Sequence, residues 1–368
     1  MTGVLCARLS APTRYCSPAR RTRCREGMPA GRSSRGRIPV GTVLRMKISI
    51  VINPVAGPAR RRRSAARMEA WARSVVERHA VDASVVFTEG PGHARVLAGQ
   101  AVDDGADVVV AWGGDGTINE VASALVYRRG TLGIVPVGSG NGLARELGIP
   151  RSPEDALTSA LSGATRVIDA GELNGRLFFN VAGVGFDAHV AEVFAASSGH
   201  RRGFTSYAAA TMRELFRYEP SVYTIEADGK PVADTRALLI AVANTRQWGN
   251  GARIAPHAVM DDERLDLVAI TARPPVLILA QIWRLFMGSI DTLSHVETRQ
   301  IRSATIAAQP PAAAHVDGEP LGRPGRIEVR VRAGALRVRV PLHSPSKGRR
   351  GDVSNLAGAG SPGWSTRP

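Results

Sequence analysis

Four short apolar runs, at residues 48–52, 83–87, 107–112 and 132–137, set the rhythm of the first half of the chain, and each has the length and continuity of a strand buried on both faces. Between the first two, Met68, Trp71, Ala72, Val75, Val76 and His79 recur at helical offsets, which predicts a helix laying one apolar stripe on a sheet. Residues 93–102 and 118–127 read as two more helices. Strands alternating with helices of this length predict a doubly wound parallel sheet, whose ligands sit beyond the carboxyl ends of the strands.

After about residue 167 the pattern changes. Strand-like segments at 177–181, 222–227, 237–243, 265–271, 298–306 and 327–340 follow one another, with helices expected at 188–196, 206–216 and 276–290. This predicts a β-sandwich-like second domain. The expected division is a basic extension or over-long gene start at 1–45, an α/β domain at 46–165, a β-rich domain at 166–342 and a disordered tail at 343–368. The apolar run at 276–290 is shorter than the ~20 residues that a membrane-spanning helix needs. It carries Arg284 and reads as a buried or interfacial helix.

Charge and cysteine change this picture little. Ten arginines and a single acid, Glu26, in residues 1–45 supply more than half of the net +16, so the folded body is only moderately basic and a nucleic-acid partner is not expected. That segment is Arg-rich and Ser-rich like a transit peptide, but Met46 directly before the first strand favours an over-extended start or a disordered tail. It also holds all three cysteines, which leaves the body without a disulfide or a cysteine metal site.

Three glycine-bearing loops close the strands. Asn53-Pro54-Val55-Ala56-Gly57 follows the first, and the arginines at 60–63 after it read equally as phosphate contacts or as a solvated helical turn. Gly113-Gly114-Asp115-Gly116-Thr117-Ile118-Asn119-Glu120 follows the third and opens a helix. Residues 136–145, with Gly138-Ser139-Gly140-Asn141-Gly142, follow the fourth. Glycines let a backbone approach phosphate closely, and a helix N-terminus favours an anion. Asp115 adds a carboxylate suited to Mg²⁺ or to an acceptor hydroxyl. No lysine stands in a Walker A arrangement, and the protein-kinase motifs are missing.

NPVAG, GGDGTINEV and PVGSGNGLAREL, in this order, resemble the nucleotide-site motifs of the diacylglycerol kinase/sphingosine kinase catalytic-domain family of lipid kinases. The resemblance continues through Gly183–Asp187 (GVGFD), Ala255-Pro256-His257 with Asp261-Asp262, and Val316–Pro320 (VDGEP). It implies ATP contacts from Asn53, Pro54, Val55, Ala56 and Gly57, from Thr88, from the loop Gly113 to Glu120 and from Ser139. It also implies Glu319 as general base, with Asp317 and Asp115 as its partners around Mg²⁺. A structural Mg²⁺ is implied at Asp262, with backbone oxygens of Val259 and Arg264. Two departures stand out: Gly142 replaces an acid that many relatives carry, and Glu263 replaces a glycine.

The expected activity is ATP-dependent phosphorylation of a lipid hydroxyl, on diacylglycerol or a related lipid, by a cytoplasmic protein in peripheral contact with the membrane. An NAD kinase and a non-catalytic nucleotide- or lipid-binding protein are the alternatives. Oligomeric state is open, a homodimer being one option. Segments at 204–218 and 276–290 offer aromatic and aliphatic surface beside Arg201, Arg202, Arg213 and Arg217. They read as packed amphipathic helices or as the lining of an acyl cleft.

Overall fold

The computed structural model describes residues 46–57, 65–79, 81–196, 204–249 and 251–342; the basic segment 1–45, the arginines at 60–63, Arg201, Arg202 and the tail lie outside the described residues. Strands β1 (Lys47–Ile52), β2 (Asp82–Phe87), β3 (Val108–Gly113) and β4 (Thr131–Pro136) alternate with helices α1 (Ala65–Arg78), α2 (His93–Asp103) and α3 (Asp115–Leu125). Helices α4 (Gly142–Glu146) and α5 (Pro153–Ser162) follow. The sheet order is β2-β1-β3-β4, all parallel. β3 and β4 are buried along their whole length, as their unbroken apolar sequences demand. The Met68, Ala72, Val75 and Val76 stripe of α1 packs into the same core.

The second half opens with β5 (Ala164–Leu173), β6 (Arg176–Phe178), β7 (Val181–Gly185), α6 (Phe186–Ala196) and α7 (Phe204–Leu215). Next come β8 (Val222–Ala227), β9 (Lys230–Ala243), β10 (Gln247–Gly249), β11 (Ala252–Arg253), β12 (Leu265–Thr271), α8 (Pro275–Gln281) and α9 (Trp283–Met287). It ends with β13 (Val296–Ile301), β14 (Ser303–Gln309), β15 (Ala314–Val316), β16 (Glu319–Pro320) and β17 (Arg326–Val340). One layer runs β16-β15-β7-β9-β12-β13 and the other β8-β14-β17-β5. Tyr223, Ile225, Ile306, Ile327 and Val329 from the second meet Val184, Ile240, Val242 and Leu267 from the first in a shared core. The first half of β9 pairs with β8 and its second half lies between β7 and β12, so this strand passes from one layer to the other. The outer face of β7, β9 and β12 carries a separate core to which Leu215, after α7's last turn begins, and Leu279 and Leu285 of α8 and α9 contribute.

β17 binds the halves together. It pairs with β5 along most of its length, and its Val338 pairs in parallel with Leu132 of β4, so one sheet continues from the α/β half into the sandwich.

Three expected elements are divided. The strand expected at 298–306 is β13 and β14, which join different layers; the break is at Arg302 and Ser303, whose amides both donate to Asp228 Oδ1 at 2.9 Å. The helix expected at 276–290 is α8 and α9, which meet at Ile282 and end at Gly288 in the left-handed region (φ 67°). Neither contains a buried residue, so the buried reading of that segment is corrected. The strand expected at 177–181 is the end of β6, a turn and the start of β7, for a reason that belongs to the site.

Candidate active site

The three loops at the ends of β1, β3 and β4 are locked to one another by backbone contact. Gly57 has φ 90°, and a Cβ there would lie 3.0 Å from the Val137 carbonyl oxygen. A Cβ on Gly138 would stand 2.8 Å from Gly114 Cα, so only glycines permit this approach. Asn53 Nδ2 donates to Thr117 Oγ1 at 3.0 Å, and the Asn53 side-chain oxygen accepts the Val55 amide at 3.1 Å, which ties the first loop to the second. Asp115 ties the second to the third: its Oδ2 accepts the Asn141 amide and its Oδ1 the Gly142 amide, each at 2.8 Å.

Other expected contact residues divide by exposure. Val55 and Ser139 face solvent, while Thr88 and Thr117 are buried and Ile118 lies in the core, where only its backbone is available. Pro54, Ala56, Gly113, Gly114 and Gly116 shape the loops. Glu120 is engaged elsewhere, its two oxygens accepting the amides of Gly92 and Ala94 at the start of α2 at 2.8 and 3.0 Å.

Asp317 and Gly318 form the two-residue turn between β15 and β16, both with positive φ (47° and 86°), the geometry for which Asp-Gly is the preferred pair. The Asp317 carboxylate accepts four N–H donors. Oδ2 takes Asn119 Nδ2 at 2.8 Å and the Phe179 amide at 2.9 Å; Oδ1 takes the Asn180 and Val181 amides at 2.9 and 3.1 Å. Three consecutive amides converging on one carboxylate cannot remain in a ladder, which is why the strand breaks at Phe179 and Asn180. Burial pushes the Asp317 carboxyl up from its usual value, while the four donors favour its anion.

Glu319 stands next to this turn with a side chain 45% exposed. Its Oε1 lies against Gly116 of the second loop, where an added Cβ would be 2.9 Å away. Arg176 Nη2 approaches Oε2 at 3.5 Å. Burial, then the negative charges of Glu120 and Asp317, raise the Glu319 carboxyl above the ordinary glutamate range, against the pull of Arg176.

Asp187 belongs to the GVGFD motif, but neither its partner nor the roles of His315 and Asn180 have a local sequence signal. His315 and Asp187 form a buried pair, Nε2 to Oδ2 at 2.9 Å, with side chains 6% and 4% exposed. The Gly318 amide donates to His315 Nδ1 at 3.2 Å, so the ring proton sits on Nε2 and is donated to Asp187. Gly183 makes room for the pair, since a Cβ there would fall 1.8 Å from Asp187 Oδ2. Asn180 fills the space beside Gly142: its Nδ2 lies 1.8 Å from where a Cβ of residue 142 would be, and its Oδ1 accepts a hydrogen bond from Thr245.

The acidic turn at Asp261 and Asp262 lies against Asp169 of β5. Asp169 accepts the Glu263 and Gly334 amides at 2.7 Å each; Asp262 accepts the Arg264 amide and Gln300 Nε2, both at 3.1 Å. Burial first, then repulsion from neighbouring acids, raises the carboxyls of Asp169 and Asp262. Glu263, standing where a glycine was expected, has φ 60°. Asn244 Nδ2 donates to the carbonyls of both Asp169 and Phe179, which couples this turn to the Asp317 site. Among the described residues no three acidic, imidazole or thiol side chains converge to hold a metal by themselves.

Residues 47–173 match the diacylglycerol kinase catalytic domain, and residues 180–340 match the YegS C-terminal NAD kinase beta sandwich-like domain. A protein named probable lipid kinase YegS-like from Pseudomonas aeruginosa is 35% identical over 278 residues, covering 71% of this chain and 86% of its own. One named diacylglycerol kinase from Mycobacterium tuberculosis is 30% identical over 304 residues, covering 81% and 96%. The crystal structure of a putative diacylglycerol kinase from Bacillus anthracis superposes with a TM-score of 0.68 at 22% identity, over 81% of this chain and 98% of that one, which is a likeness of fold.

Proposed function

Because the chain belongs to the diacylglycerol kinase family of YegS-like lipid kinases, we propose that ATP binds on the three glycine loops and that Glu319 takes the proton of a lipid hydroxyl as it receives the γ-phosphate. Family membership makes the protein a phosphotransferase with an alcohol group as acceptor. In this reading residues 46–165 form the ATP-binding half and residues 166–342 the lipid-binding half, and the acceptor is diacylglycerol or a related hydroxylated lipid reached by peripheral contact with a membrane.

The observation that carries this reading is the approach of the Glu319 carboxylate to Gly116. It brings a carboxylate from the sandwich half directly against the loop whose glycines and helix N-terminus suit phosphate. A hydroxyl is a weak nucleophile, and a base with a raised pKa takes its proton more readily near neutral pH. Phosphoryl transfer otherwise depends on positioning and on charge stabilisation. Asp115 holds the third loop on the second, Asp317 fixes the turn that presents Glu319, and the exposed Arg176 supplies a cation beside the base.

Magnesium fits the acids present at this site to different degrees. Mg²⁺ is usually held by one or two carboxylates together with substrate phosphates. Asp115 keeps a free lone pair on each oxygen and suits that role; Asp317, with four donors in place, serves better as a positioning group. When bound with ATP, the ion neutralises charge on the phosphates. A second ion at Asp262, flanked by the backbone of Val259 and Arg264, fits the repulsion among Asp169, Asp261 and Asp262. If it binds there, Mg²⁺ raises Tm in the parent and leaves an Asp262→Asn variant unchanged.

The substrate is identified by incubating the protein with γ-labelled ATP, Mg²⁺ and a total lipid extract and weighing the labelled product by mass spectrometry. A phosphorylated lipid supports the reading and names the acceptor. Label on NAD instead, or on nothing, contradicts it.

A further inference from the structure

From α8 and α9 we infer that the protein docks on anionic membrane surfaces through the exposed side chains of Val276, Leu277, Ile282, Trp283, Phe286 and Met287, an inference that rests on the lipid-kinase reading. The segment is apolar but for Gln281 and Arg284, and the fold covers only one side of it. Ile278, Leu279 and Leu285 pack on the core outside β7, β9 and β12, while Trp283, Phe286 and Met287 remain 52%, 48% and 68% exposed. A helix on a water-facing surface ordinarily turns polar residues outward. A contiguous apolar face of this kind marks a contact with another phase or another molecule.

Charge and geometry select a bilayer as the occupant. Residues 273–287 contain two arginines and no acid. The Arg284 guanidinium lies over the Trp283 ring at 5.1 Å from its centroid, a pairing of ring and cation suited to the depth where acyl chains meet headgroups. Arg253 adds a third cation, its Cδ 3.2 Å from where a Cβ on Gly288 would stand. Basic residues around an apolar face are attracted to anionic headgroups.

The same elements connect this face to the active site. α9 packs on β11, which pairs with β10, and β10 packs on α4, the helix that follows the third glycine loop. The ion pair of Arg246 with the buried Glu146 side chain, 2.6 Å long, fastens the strand side of this connection to α4. Docking through α8 and α9 therefore holds the catalytic loops at a fixed attitude to the membrane that carries the acceptor.

The test is flotation of the full chain with vesicles of phosphatidylcholine and phosphatidylglycerol, comparing the parent with Trp283→Ala/Phe286→Ala and with Arg284→Ala. The expected result is that the double variant partitions roughly tenfold or more weakly than the parent, with Tm unchanged because the removed side chains are exposed. Arg284→Ala loses binding to the anionic vesicles and not to phosphatidylcholine alone. Phosphorylation of lipid in vesicles falls in step with flotation, while phosphorylation of a short-chain, water-dispersed lipid does not change. A parent that fails to float, or a double variant that floats like the parent, overturns the inference. So does self-association that the double substitution abolishes in a protein that ignores vesicles, since a second copy would then cover the face. Flotation with the expected variant pattern but no phosphorylated lipid upholds the docking face and removes the kinase reading.

Discussion

Glu319 lies between Gly116 and Arg176 with two other acids near enough to raise its pKa, and the effect on rate has a definite sign. A general base works only when deprotonated, so activity is expected to fall as pH drops through the raised pKa. The acid limb of kcat should therefore lie above the ordinary glutamate range, and Glu319→Gln should lower kcat by about 10²–10⁴ with little change in the KM for ATP. Two other positions make stability predictions. Gly142→Ala would drive a methyl into Asn180 Nδ2 and displace its contact with Thr245, at an expected cost of about 1–3 kcal/mol. In an Asn180→Ala background the same substitution should cost much less, a coupling that a double-mutant cycle reads directly. Glu263→Gly, which relieves a left-handed conformation, should stabilise the protein by ~1 kcal/mol in denaturant melts.

At the scale of elements, the hairpin of β15 and β16 is held from two sides. Asp317 gathers the amides of residues 179–181, and the His315–Asp187 pair accepts the Gly318 amide. Replacing His315 by Ala should leave that amide and the buried Asp187 carboxylate without their imidazole partner, which lowers Tm, and should loosen the turn that presents Glu319, so that in the still-folded protein kcat falls while the KM for ATP stays near its parent value; a loss of both together would mark a general failure of folding. The hairpin also shows what can be read from sequence and what cannot. Gly113, Gly114 and Gly138 are legible as loop residues because glycines at strand ends have a local conformational cause. The turn at Phe179 and Asn180 is not legible, because the carboxylate that makes it lies more than 130 residues away. The pairing of His315 with Asp187, 128 positions apart, is hidden for the same reason, although Asp187 ends the GVGFD motif and His315 directly precedes VDGEP. The expected single strand at 298–306 fails likewise on a distant partner, Asp228.

Across the whole molecule, the α/β half and the sandwich are joined through a shared sheet and through side-chain hydrogen bonds. β17 continues the parallel sheet at Val338, and Asn119 of α3 donates both to Asp317 and to the Leu177 carbonyl. Calorimetry should therefore show residues 46–342 melting in one cooperative transition, and Asn119→Ala should lower stability by about 1–3 kcal/mol by leaving a partly buried carboxylate short of a donor. The division into an α/β half and a β-rich half is legible because the periodicity of the apolar pattern changes near residue 167. The strands that bridge the halves are not: β17 reads as an ordinary strand until its partners are known, and β5 is not among the expected strands, the boundary expected at 165/166 falling within it.

The central claim is that a carboxylate of the sandwich half serves the phosphate loops of the other half in phosphorylating a lipid. Its most direct test is transfer of labelled γ-phosphate from ATP with Mg²⁺ to a total lipid extract, measured for the parent, Glu319→Gln and a Glu319→Asp control at several pH values. The account predicts a labelled lipid with the parent, its loss with Glu319→Gln, partial recovery with Glu319→Asp and an acid limb above the usual carboxylate range. A Glu319→Gln variant that phosphorylates lipid at the parent rate and with the same pH profile would contradict it.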